Sequence, residues 1–382
     1  LEYAHLLTAP SKTGAGVQAD VDWGQLDRCF DPVLVLEGDK GYAEHLGSRM
    51  WLRILNHGNE WHDAANWAHH TVDEIRQVYW RGVRKVQFIN EPNLESEGAV
   101  GYEDYQVGNE TRRRATIETY AFLERWGQEY FPRVRNLLAQ AGMADVLLCG
   151  PAMSPGHNES EDFRGYGHMP TFLRCCDILV FHSYWHRDPA TFLGGNDAIW
   201  FAQRLDLDLA YLHELGIEQP VSLSEYNSDG LDFANQVDMA LYYEQIKRFN
   251  QWLNSKPEVV GQFYFLAFEN DTAFYGLSLE NMPGAWDALA SFDRQSEGQW
   301  ALPIWTPPDV PVLDEPVTTP EPEGGNVLTE EQRAGILAAL DDCWGVLNRM
   351  DEQADQAKAD VARIRAQIIA VKEAAGLNSP LG

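Results

Sequence analysis

The chain has 382 residues, with 58 Asp and Glu against 29 Lys and Arg, and 45% of its residues are hydrophobic. A formal net charge of −29 argues against nucleic-acid phosphates and anionic membrane surfaces as partners, since both call for Lys and Arg. No stretch approaches the roughly 20 apolar residues of a membrane helix, and five cysteines without a C-x-x-C argue against a disulfide framework.

Continuous apolar runs of strand length occur at 3–8, 32–37, 50–56, 83–90, 145–150, 177–184, 220–226 and 259–268. Unbroken apolar character, rather than alternation, is what strands buried on both faces show. Helical periodicity separates them, most clearly over 65–80, 112–141, 197–215 and 236–253. Strands alternating with helices predict a parallel sheet, and about eight such units predict an α/β fold closed as a (β/α)8 TIM barrel over residues 1–305. A doubly wound open sheet is the alternative, but no G-x-G-x-x-G follows the first run.

Residues 306–326, which include TPPDVPVLDEPVTTPEPEGG, are rich in Pro and acids and aperiodic, and they read as a semi-rigid linker. A helix is predicted within 327–382, opened by the capping-box pattern Thr329-Glu330-Glu331-Gln332. Ile336, Leu340, Cys343, Leu347, Met350, Ala354, Ala357, Val361, Ile364, Ile368 and Val371 then keep a 4,3 spacing, the seam of a coiled coil. The expected partner of this stripe is another copy of the chain; a helix folded back on its own barrel is the alternative.

In a barrel of this kind the reactive residues sit where strands stop at their C-terminal ends. The fourth run ends in Phe88-Ile89-Asn90-Glu91-Pro92-Asn93, the sixth in His182-Ser183-Tyr184-Trp185-His186, and the seventh in Ser224-Glu225-Tyr226-Asn227. Two carboxylates thus emerge from different strands at one mouth. Glycoside hydrolysis needs such a pair, one to protonate the leaving oxygen and one to attack the anomeric carbon.

The segment Asn90-Glu91-Pro92-Asn93-Leu94 resembles the strand-four motif of clan A glycoside hydrolases, which are retaining (β/α)8 enzymes, and most resembles family 39 and its relatives. Asp177-Ile178 with His182-Ser183-Tyr184 is similar to that family's strand-six segment, and Ser224-Glu225-Tyr226-Asn227 to its strand-seven nucleophile segment. The resemblance covers about residues 1–305. It implies that Glu91 is the acid/base and Glu225 the nucleophile, that Asn90 contacts a sugar hydroxyl, and that Tyr184 and His182 line the same wall. Clan members commonly carry an Arg near the end of strand two; the second run has none, and Arg53 in the third is the substitute. Many also carry a Trp at the end of strand eight, where this chain offers Phe268. Trp185 is a candidate for stacking on sugar.

Other chemistry is weaker. His57, His62, His69 and His70 cluster with Glu60 and Trp61 but lack an H-E-x-x-H spacing, so no metal and no cofactor are expected. The expected function is hydrolysis of O-glycosidic bonds in a poly- or oligosaccharide with net retention. The alternatives are a non-catalytic carbohydrate-binding barrel and an assembly protein acting through its helix. If the helix drives self-association, Leu340→Asp with Leu347→Asp dissociates the full-length chain in light scattering. Full-length protein already monomeric at high micromolar concentration contradicts that expectation.

Overall fold

The computed structural model describes residues 13–293, apart from 19–20, 37–39, 57, 108–109, 156–164, 229–230, 232–234, 269–277 and 283. The first predicted strand, at 3–8, and the whole of the linker and C-terminal helix lie outside the described residues.

Eight parallel strands close into a barrel: β1 (Thr13–Val17), β2 (Val33–Val35), β3 (Met50–Arg53), β4 (Lys85–Gln87), β7 (Leu147–Met153), β8 (Ile178–Trp185), β9 (Val221–Ser228) and β10 (Val259–Phe268). Strand β1 pairs with both β2 and β10, which completes the ring. Between β4 and the next helix an antiparallel hairpin intervenes, β5 (Tyr102–Val107) with β6 (Glu110–Ala115). The helices are α1 (Trp23–Cys29), α2 (Ala43–Leu46), α3 (Ala64–Tyr79), α4 (Ile117–Gln140), α5 (Pro170–Cys175), α6 (Arg204–Glu214), α7 (Gln236–Asn254) and α8 (Ala285–Asp293). This is the (β/α)8 barrel the alternation predicts. Among the described residues no helix is long and apolar enough to cross a membrane.

Three boundaries differ from the sequence reading, each for a physical reason. The first barrel strand is Thr13-Gly14-Ala15-Gly16-Val17, too glycine-rich to register as an apolar run. A Cβ on Gly14 would lie 2.3 Å from the Pro32 carbonyl oxygen and 2.8 Å from the Phe263 ring, so the closing strand has room only for a bare backbone there. The helix predicted over 112–141 begins at Ile117, because Arg113 and Arg114 are spent on the hairpin, pairing with Asp104 and Glu103 across it. The helix predicted over 197–215 is confined to Arg204–Glu214, preceded by turns and a short 3-10 segment at Ala198–Trp200.

Strand pleating sorts the side chains into two layers. Val33 and Val35 join the large cluster between sheet and helices, whereas Leu34 belongs to a separate cluster with Trp51, Cys149, Ile178, Val180 and Phe263. That alternation places the second cluster inside the ring, which side chains fill in a barrel of this size. Trp51 pairs in register with Lys85, and Arg53 with Gln87, so these four face inward in successive layers. Arg53 and Gln87 form the layer nearer the mouth.

Lys85 is the anomaly of the lower layer: it is buried, with its ammonium 5.2 Å from the centre of the Trp51 ring. Burial pushes it down from 10.5 to about 8, against the opposing influence of Cys149 and Asp31. Below pH 8 folded and unfolded chains both carry the proton, and the folded one bears the whole cost, about 3 kcal/mol. Between about 8 and 10.5 the folded chain sheds the proton first and stability recovers. Lys85→Met is therefore expected to raise the urea-unfolding free energy at pH 7 by about 1–3 kcal/mol, with the gain fading above pH 10. A loss of stability at pH 7 would contradict this account.

Candidate active site

The mouth of the ring collects the carboxylates. Glu225 pairs in register with His182, one strand over. Its carboxyl is enclosed, 9% exposed, and both oxygens are engaged: Arg53 Nη1 donates to Oε1 at 2.5 Å and Tyr184 Oη donates to Oε2 at 2.5 Å. Burial alone would push this carboxyl up. His182 and Arg53, with the hydrogen bonds from Tyr184 and Arg53, outweigh that and hold it below the ordinary value. Tyr184 is pushed well up, first by burial and then by the Glu225 charge, so it keeps its proton and remains a donor.

Glu91 follows β4 at a corner in the left-handed region, φ 39°. A residue with a Cβ persists there only where its surroundings over-determine it, at a cost of roughly 1–3 kcal/mol. The clamps are visible. Glu91 N–H donates to the Ala152 carbonyl at 3.0 Å, and its own carbonyl accepts from Leu94 N–H at 2.8 Å. Asn56 accepts the Asn90 N–H at 2.7 Å and donates to the Asn90 carbonyl at 3.2 Å. Trp67 of α3 donates to the Phe88 carbonyl at 2.8 Å, fixing the strand just before the corner.

His182 joins the two acids. Its Nδ1 lies 2.8 Å from Glu91 Oε1 and 3.5 Å from Glu225 Oε2. Its Nε2 lies 3.0 Å from Ser224 Oγ, which also accepts from Arg53 Nη2 at 3.3 Å. Arg53 can only donate, so with a neutral ring the Ser224 proton goes to Nε2. The imidazole hydrogen then sits on Nδ1, aimed at Glu91. One oxygen of each glutamate and this nitrogen all lie within 4.8 Å of one another. Three such atoms are a metal-ligand type of grouping, but both Glu225 oxygens already accept hydrogen bonds and Arg53 already supplies the positive charge.

The remaining candidates divide. Asn90 lies at the site; its amide oxygen accepts from Gln87 Nε2 at 3.0 Å, which leaves its NH2 group for a ligand. Trp185 does not line the mouth. It is fully buried, donates to Gln245 Oε1 at 3.0 Å and packs on Phe249 at 4.6 Å. With His182 and Tyr184 facing the mouth, the period of two turns Trp185 toward α7. Phe268 also faces outward, stacked on Trp286 of α8 at 5.2 Å. From β10 it is Phe265 that enters the inner cluster, edge-on to Tyr184 at 6.3 Å. The histidine cluster does not converge among the described residues: His62 lies 2.6 Å from the Gly98 carbonyl oxygen, while His69 and His70 are exposed. Sequence reasoning missed Asn56, Gln87, Phe265 and Glu97. Asn56 closes the third apolar run, so its position at a strand end was a usable signal.

No protein-family model matches the sequence, and no curated protein matches it. Among solved structures, the chain is similar to a GH128 (subgroup II) endo-β-1,3-glucanase from Sorangium cellulosum, with 17% identity over 74% of this chain and 98% of that one and a TM-score of 0.49. A GH128 (subgroup I) endo-β-1,3-glucanase from Amycolatopsis mediterranei, a point mutant in complex with laminarihexaose, gives 14% identity, coverage of 74% and 99%, and a TM-score of 0.45. A GH2 β-galacturonidase from Eisenbergiella tayi gives 11% identity, coverage of 73% and 47%, and 0.44. None of these three is described as a family 39 enzyme.

The enclosed Arg53–Glu225 pair makes a direct prediction. Removing one partner of a buried pair leaves an uncompensated charge, at a cost of about 3–5 kcal/mol. Arg53→Met is expected to destabilise the fold by that order at pH 7 in urea titrations, and adding Glu225→Gln to recover most of the loss. Because the Glu225 carboxyl is held low, its contribution is present above the unfolded value and lost as pH falls through the folded one. The double variant should lack this acid-side dependence. Simple additivity of the two single variants would contradict a coupled pair.

Proposed function

We propose that this chain is a retaining glycoside hydrolase acting on a poly- or oligosaccharide, with Glu91 as acid/base and Glu225 as nucleophile. The observation that carries the reading is the pairing of two glutamates with carboxyl oxygens within 4.8 Å, one enclosed by Arg53 and Tyr184 and the other reached from outside. Retention calls for carboxyl groups about 5–5.5 Å apart, with no room for a water between nucleophile and sugar; inversion calls for about 6.5–9.5 Å. The strand-four and strand-seven motifs support the clan A assignment, with family 39 as the nearest resemblance by motif.

In the first step Glu91 gives its proton to the glycosidic oxygen as Glu225 attacks the anomeric carbon. The C–O bond to the leaving group breaks, and an ester forms between C1 and Glu225. Arg53 and Tyr184 keep Glu225 ionised and aimed before attack, and they stabilise it again as the departing carboxylate. Having given up its proton, Glu91 is now the carboxylate that takes one from the attacking water. The water oxygen then attacks C1, the C1–O bond to Glu225 breaks to regenerate its carboxylate, and the sugar leaves with its original configuration. The Asn90 NH2 group is placed to bind a sugar hydroxyl, and Phe265 offers the apolar ring that the end of β10 does not supply.

Glu225→Ala is expected to abolish turnover of activated aryl glycosides and to be rescued by azide, giving a glycosyl azide of inverted configuration. Glu91→Ala is expected to slow natural substrates by about 10²–10⁴ and activated aryl glycosides much less, since a good leaving group needs little protonation. Equal losses on both substrate types would remove Glu91 from the acid role. A wild-type chain inert on a broad panel of glycosides and polysaccharides would favour a binding barrel instead.

A further inference from the structure

Building on the glycosidase reading, we propose that Glu97 is a third functional carboxyl at this mouth. It receives hydroxyl groups of the bound sugar beside Glu91 and restricts the site to neutral sugars.

The geometry presents this side chain rather than leaving it on a loose turn. Asn56 Nδ2 donates to Glu97 Oε2 at 3.0 Å, while the same amide clamps the Asn90–Glu91 corner. Trp61 Nε1 donates to the Glu97 carbonyl at 2.8 Å, and His62 Nε2 lies 2.6 Å from the next carbonyl, that of Gly98. Gly98 has φ +95°, and a Cβ there would lie 2.1 Å from the Gly58 carbonyl oxygen, so the turn is pressed onto the loop after β3. Among the described residues Asn56 is the one hydrogen-bond partner of the Glu97 carboxyl. Its second oxygen is left for a ligand.

The groups facing it are Glu91 from the β4 corner, Arg53 from β3, His182 from β8 and Glu225 from β9. Burial is the largest influence on Glu97, followed by the Glu91 charge and, more weakly, that of Glu225. Arg53 and His182 oppose them, and the carboxyl is pushed up to about 7. Near neutral pH it therefore changes charge within the site.

Four described arginines of β3, the hairpin and the segment after β8 are already engaged. Arg53 holds Glu225, Arg113 holds Glu95 and Asp104, Arg114 holds Glu103, and Arg187 holds Asp238 at 2.9 Å. Among the described residues, an anionic sugar would meet Glu91, Glu97 and Glu225 with no uncommitted Arg or Lys to receive its carboxylate. Neutral hydroxyls suit this lining, since they both donate to carboxylates and accept from the Asn90 amide.

The test uses the full-length chain with its Arg53–Glu225 pair intact, with and without Glu97→Gln or Glu97→Ala, and thio-linked oligosaccharides, which are not consumed. Calorimetric titration from pH 5.5 to 8.5 employs neutral hexaoses (laminari-, cello-, xylo- and manno-) and oligogalacturonate. A neutral hexaose should bind about tenfold more weakly to the Glu97→Ala form and lose less in the near-isosteric Glu97→Gln form. Oligogalacturonate should bind more weakly than the neutral sugar, and increasingly so as pH rises through about 7, as Glu97 ionises. Glu97→Gln should remove that pH dependence. Unchanged neutral affinity in Glu97→Ala, oligogalacturonate bound as tightly as the neutral sugar, or no neutral hexaose bound at all would overturn the proposal. If the wild type hydrolyses none of the O-linked counterparts of the neutral sugars it binds, the glycosidase reading fails while the binding role of Glu97 stands.

Discussion

The ion pair between Arg53 and Glu225 is the interaction on which the architecture of the mouth turns. An ionised carboxylate in so enclosed a place is expensive, and it is tolerated here because a guanidinium and a phenol meet both of its oxygens. Arg53 reaches it because β3 pleats in register with β4, two layers of inward side chains stacking Trp51 with Lys85 and then Arg53 with Gln87. The rest follows from that placement. Arg53 also fixes Ser224, Ser224 orders His182, and His182 addresses Glu91. The chemistry proposed for Glu91 and Glu225 thus depends on a register set by the aliphatic core of the ring.

The two glutamates differ in a way that suits different tasks. Glu225 is held low by charge and hydrogen bonds, whereas Glu91 meets the histidine and stands on a strained, clamped corner. Glu97 adds a third acid that is held up where Glu225 is held low, because burial and the Glu91 charge outweigh Arg53 and His182 there. Three carboxyls against one committed arginine make a mouth that is net acidic, in keeping with a chain of net charge −29. The acidity of this mouth is the basis for the proposed preference for neutral sugars.

Much of the fold was legible because barrel strands are buried on both faces and read as apolar runs. Seven of the runs overlap barrel strands; β1 did not announce itself, because its glycines are required by contact with Pro32 and Phe263 and carry no hydrophobic signal. Glu91 and Glu225 were legible as acids at strand ends. Their separation was not, since it depends on the ring closing. Trp185 and Phe268 were misplaced for a simpler reason: nearness to a strand end does not say which face a residue takes, and pleating turns both toward the helices. Glu97 went unseen because its role arises from a contact with Asn56, in a loop far from it in sequence. The C-terminal seam stays an expectation of the sequence.

The proposed mechanism requires Glu225 to bond covalently to the sugar. Incubation with 2-deoxy-2-fluoro glycosyl fluorides of several sugars, followed by peptide mapping by mass spectrometry, tests this most directly. A slowly hydrolysed adduct is expected with one of these sugars, localised to the peptide containing Glu225 and absent from the Glu225→Ala chain. Turnover of the corresponding natural glycoside with no adduct on Glu225, or with the label on Glu91, would contradict it.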